Sequence, residues 1–132
     1  MIQNEKSTII RDWALVLTFR KHGVSKFDAK KLTKAMLTAL RNSSIKNNWF
    51  YDITAVISEL NPKTKQKERI HVHLLLHALP ISSVKGWIKK YWYTRHGIVE
   101  YEPVRDKDKL LLYMIAQASE IFEQSRTPKL KQ

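Results

Sequence analysis

The chain reads as an α+β domain, a central antiparallel sheet of about four to five strands with helices packed on it. Three observations predict this class. Stretches of β-formers with turn residues between them alternate with stretches whose apolar residues recur at helical spacing. Two of the β-rich stretches flank a short polar break, as in a hairpin. The 132 residues, 43% hydrophobic and 27% charged, suffice for one core but leave no room for a fused motor such as a helicase.

The elements follow in order. Residues 12 to 20, DWALVLTFR, form a first strand, after a polar start whose residues 1–11 are expected to be loosely held. Ser25 with Asp28 three residues later is an N-cap signature, and Phe27, Leu32, Met36 and Leu40 recur on one helical face until a polar break at NSSIKNN. WFYDITAVISEL and RIHVHLLLHAL are strands joined by the basic loop NPKTKQKE. Pro80 ends this hairpin, and Ser82 or Ser83 can cap a helix through SVKGWIKKYWYTRH that Gly97 terminates. Its inner face is Val84, Trp87, Ile88, Tyr91 and Trp92. GIVEYEPV alternates as a short strand; Asp106 caps a last helix, DKLLLYMIAQASEIFEQ, with apolar residues at helical spacing as far as Phe122. The whole chain, 1–132, is expected to be one domain, with 124–132 as a second loose tail.

Lys plus Arg outnumber Asp plus Glu by 24 to 12, a net charge of +12 that calls for a polyanionic partner, nucleic acid before membrane because the basic residues do not gather on one amphipathic face. The absence of Cys excludes disulfides, thiolate metal sites and cysteine nucleophiles. With no signal-peptide pattern and no apolar run of spanning length, the expected location is the cytoplasm.

His71-Val72-His73 carries the chemistry. Strand alternation sends both imidazoles to one face, about 7 Å apart at the backbone, where two neutral rings can converge on one metal ion. His77 shares their parity but lies about 13 Å farther along and cannot reach the same ion. Tyr113, in LLLYMIAQ, has Ala116 and Gln117 as its helical neighbours at the third and fourth positions. WIKKYWYTRHG mixes rings with Lys89, Lys90 and Arg95, a pattern suited to stacked bases and phosphates. The hairpin loop adds Lys63, Lys65, Lys67 and Arg69.

The segment IHVHLLLHALP resembles the His-hydrophobic-His motif of the HUH single-strand DNA endonucleases, above all the rolling-circle replication initiators of small plasmids and viruses, and LVLTF at 15–19 resembles their first strand. The likeness in motif order spans residues 13–122 and implies a ferredoxin- or RRM-like sheet. It also implies a metal held by His71, His73 and an acidic residue best matched by Glu59, twelve residues before His71. By the same resemblance Tyr113 is the nucleophile, forming a 5′-phosphotyrosine and releasing a 3′ hydroxyl. Ala116 stands where the initiators usually carry a Lys; Tyr113 with Gln117 is instead similar to the pair found in single-strand transposases of the superfamily, which makes Gln117 the alternative third ligand. A mixed nitrogen and oxygen site suits Mn²⁺ or Mg²⁺. The implied partners are single-stranded DNA at an origin or element end, a separate helicase and a polymerase; a homodimer is left open. The competing class is a nucleic-acid-binding module without catalysis.

Overall fold

The computed structural model describes residues 12–60 and 67–128. Its strands are β1 (Asp12–Leu17), β2 (Phe50–Leu60), β3 (Lys67–Leu79), β4 (Val99–Pro103) and β5 (Ala118–Arg126). The helices are α1 (Lys26–Asn47), α2 (Ile81–Arg95) and α3 (Lys107–Ala116). The strands make one open antiparallel sheet in the order β4-β1-β3-β2-β5, so the expected α+β class is the observed one. No helix among the described residues is long and apolar enough to cross a membrane.

Alternation along the central strands divides the sheet into two unlike faces. Leu15, Leu17, Ile53, Ala55, Ile57, Val72, Leu74 and Leu76 point to one face, where Met36, Leu37 and Leu40 of α1 and Val84, Ile88 and Trp92 of α2 bury them. Val56 and Leu75 point to the other, where Met114 of α3 covers them, with Val104 and Ala118 packed alongside. Burying Met114 stabilises this docking by about 2 kcal/mol. Since His73 lies opposite Val56 and two residues before Leu75, α3 and the histidines occupy the same side of the sheet.

Several sequence expectations need correction. The polar NSSIKNN segment does not break α1: Ser44 is buried, the Asn47 amide donates to the Ser43 carbonyl, and the helix ends at Asn48, whose φ of 58° is the left-handed cap. Phe27, expected on the inner face, is exposed. Neither Ser82 nor Ser83 caps α2, which starts at Ile81 behind Pro80. The last helix stops at Ala116, and Ala118–Arg126 pairs with β2 as a strand. The apolar pair Ile121 and Phe122 fits either period, and long-range pairing decides: Phe122 packs on the main core, Tyr51 donates to Gln124 at 2.8 Å, and Lys30 pairs with Glu120 at 2.6 Å. Residues 124–126 therefore belong to β5 rather than to a tail. Residues 1–11 lie outside the described residues.

Gly97 closes the turn after α2 where two backbones nearly touch. A Cβ there would be driven against the Thr18 carbonyl, 2.7 Å from its carbon and 3.0 Å from Phe19 Cα. That carbonyl cannot easily give way, because it accepts the Trp92 indole N–H at 2.7 Å while the Thr18 N–H donates to Ile98 at 3.0 Å. Gly97→Ala is expected to destabilise the fold by roughly 3 kcal/mol, read as a lowered urea midpoint.

Candidate metal and nucleophile site

The site assembles at one end of the α3-covered face. β3 presents His71 and His73 with ring centroids 4.7 Å apart and planes at 72°. The His71 Nδ1 lies 3.0 Å from the Arg69 carbonyl oxygen, which can only accept, so Nδ1 donates and Nε2 is the atom turned to any ligand. A backbone acceptor behind an imidazole is the arrangement that orients a metal-binding histidine.

His73 is the more enclosed ring. Burial above all, with the neighbouring His71 adding to it and the Gln117 side chain offsetting part, holds its pKa down at about 4. Although the Gln117 amide stands at this ring, neither His73 Nε2 nor Gln117 Nε2 has a hydrogen-bond partner, and both atoms are buried. Two orphaned nitrogens side by side in a fold of this size are costly unless something else meets them. The other end of the amide is held: Ser58, opposite His71 on β2, donates from Oγ to Gln117 Oε1 at 3.2 Å. Oxygen and nitrogen of an amide exchange places by a half-turn, so Gln117 can present an oxygen towards His73. The His71 and His73 imidazoles and an amide oxygen together form a donor set of the kind that could hold Mn²⁺ or Mg²⁺.

Glu59 does not belong to this group. The regular β2–β3 register that runs from Phe50 opposite Leu79 puts Ser58, not Glu59, opposite His71, and the register shifts only beyond Ser58. Glu59 instead lines a cavity of about 450 Å³ at the end of the sheet, with Val24, Ser25 and Lys26 at the start of α1. Among the described residues no third His, Cys, Asp or Glu joins the histidine pair. The alternative third ligand, Gln117, is the one brought to the site.

Tyr113 rides on α3 one turn before Gln117, on the same side of the sheet as the imidazoles, and is 46% exposed. Met114 beside it fixes the helix to Val56 and Leu75, so the phenol is carried by a packed element while its own side chain stays accessible. His77 lies farther along β3 and pairs through Nδ1 with Asp12 at 2.8 Å.

The expected nucleic-acid contacts divide. Arg69 lies beside His71, its guanidinium donating to the Phe19 and Lys21 carbonyls at 2.6 and 3.1 Å. Lys89, Lys90 and Arg95 lie on α2, across the sheet from the histidines, which removes them from a strand held at His71 and His73. There Lys89 sits over the Tyr101 ring at 4.1 Å and Arg95 over Tyr91 at 3.9 Å. Lys63 and Lys65 lie outside the described residues, and Lys67 opens β3. Sequence reasoning missed Ser58 and the Arg69 carbonyl; the parity of Ser58 with His71 would have identified it once the hairpin register was known.

The low pKa of His73 has a consequence for stability. The unfolded chain takes up this proton near pH 6.5, the folded chain only near pH 4, so stability present above pH 6.5 is lost as pH falls between those values. The contribution is up to about 3 kcal/mol. It is measured as the difference between the pH dependence of urea unfolding of the metal-free wild type and of His73→Gln, whose curve is expected to be flatter over that range.

No family model, curated protein or solved structure matches this chain.

Proposed function

We propose that this protein is a metal-dependent endonuclease and strand transferase for single-stranded DNA, with Tyr113 as nucleophile and His71, His73 and Gln117 as the cation's ligands. The observation that carries the reading is the meeting of two imidazoles on one face with the buried Gln117 amide, one helical turn from an accessible phenol.

The chemistry a bound Mn²⁺ or Mg²⁺ supplies is polarisation of the phosphoryl oxygens, which lowers the charge barrier to attack on a polyanion. The residues divide the remaining work. Arg69, through its carbonyl, and Ser58, through Gln117, hold the ligands in place. Tyr113 Oη forms a bond to phosphorus as the bond to the 3′ oxygen breaks; the phenol releases its proton and the departing oxygen takes one up. The phosphotyrosine preserves the linkage as an ester, so a 3′ hydroxyl can reverse the step and rejoin a strand.

Nicking and rejoining at a replication origin is the biological setting that the overall motif order suggests, with a helicase and a polymerase as separate partners. Gln117 at His73, with Glu59 apart from it, is the specific observation that favours the second setting, a single-strand transposase. The shared chemistry is tested by incubating a scanned set of end-labelled single-stranded oligonucleotides with protein and Mn²⁺. A covalent protein–DNA adduct through the 5′ phosphate, lost on chelation, is the expected result. Binding without an adduct at any sequence or cation concentration would leave a non-catalytic module in its place.

A further inference from the structure

α3 leaves half of its own face uncovered. Over β1 and β4 the floor includes Val16 and Thr18, both half-buried, and a groove of about 1030 Å³ runs across it from His71 to Glu100 on β4. Its two ends differ in charge. Arg69 stands at the His71 end beside Arg20, whose guanidinium is held by the Tyr93 carbonyl of α2, while Glu100 forms part of the opposite wall. In the sheet's register Glu100 lies opposite Val16, and Val16 opposite His73, so the Glu100 backbone is about 10 Å from that of His73 along one row.

The β4 side of this face is acidic although the chain carries +12: among the described residues no Lys or Arg pairs with Glu100, Lys85 and Lys89 face the Tyr101 ring instead, and Glu102 follows two residues along. Glu100 is exposed in a groove continuous with the proposed site, where it repels any phosphate that approaches. A strand crossing this floor must therefore turn its backbone towards the arginine end and a base towards β4. A carboxylate only accepts hydrogen bonds, so it selects a base edge that donates. The Watson–Crick edge of unpaired guanine offers two adjacent donors, N1–H and N2–H, to the two oxygens of one carboxylate; thymine offers one donor between two repelling carbonyls.

We infer that Glu100 is a specificity-determining residue that reads an unpaired guanine beside the cleavage centre. This rests on the proposed single-strand activity, and its test is independent of cleavage. Tyr113→Phe protein, without added metal, is titrated with labelled dT12 and with versions carrying one dG moved along the strand. One position is expected to bind roughly tenfold more tightly than dT12. Inosine there, lacking the N2 amine, should lose most of the gain, and 7-deazaguanine, which keeps both donors, should retain it. Glu100→Ala should flatten the profile while dT12 itself binds more tightly, since a negative charge leaves the groove. Glu100→Gln, whose amide both donates and accepts, should exchange guanine preference for weak discrimination. A flat wild-type profile, or a guanine preference that survives Glu100→Ala, overturns the inference, even where the Mn²⁺-dependent adduct forms. A Glu100-dependent guanine profile without any adduct upholds base reading and removes the nuclease.

Discussion

Tyr113→Phe protein is expected to form no covalent adduct and to cleave single-stranded DNA at least ~10³-fold more slowly than wild type, while binding it with affinity within about twofold. The substitution removes one oxygen from a half-exposed ring and leaves Met114, the residue that docks α3, untouched, so folding and strand binding have little reason to change. An equal loss of binding would mean that the phenol holds DNA rather than attacks it. Persistence of the adduct would transfer the nucleophile to another residue. Mass spectrometry of the trapped wild-type adduct locates the attachment directly.

The second large effect separates the two candidate third ligands. His73→Ala and Gln117→Ala are each expected to weaken Mn²⁺ binding and Mn²⁺-dependent cleavage by roughly two orders of magnitude. Glu59→Ala is expected to change either by less than about twofold, because that side chain lines the cavity at the start of α1. Ser58→Ala, which removes the hydroxyl that holds the far end of the Gln117 amide, should fall between, at about tenfold. Calorimetric titration with Mn²⁺ measures the affinities without DNA. The reverse order, with Glu59 essential and Gln117 dispensable, would require the β2 register to rearrange on metal binding and would overturn the ligand set.

The faces of the sheet explain why some charges matter here and others do not. The basic and aromatic residues of α2 form an attractive sequence pattern for nucleic acid, but Val84, Ile88 and Trp92 bind that helix to the face away from the histidines. Trp87 and Tyr91 stack on each other with centroids 5.0 Å apart, and Arg95 covers Tyr91, so these rings are satisfied within the helix surface. The surface available to a strand at His71 is the β1 and β4 half of the other face, where the charges are mixed.

The amino-acid sequence alone determined the features that depend on neighbours a few residues away. Period-two alternation put His71 and His73 on one face, helical spacing defined most of α1, α2 and the tyrosine-bearing α3, and composition set the net charge. Tertiary structure decided everything that depends on register or layer. The β2–β3 register placed Ser58 rather than Glu59 opposite His71, pairing with β2 made a strand of residues that fit a helical period, and packing assigned α2 and α3 to opposite faces. The physical reason is that alternation and helical period are local, whereas a one-residue slip between distant strands reverses every side chain at little local cost. Only burial of the whole sheet makes one register lower in free energy than its neighbour.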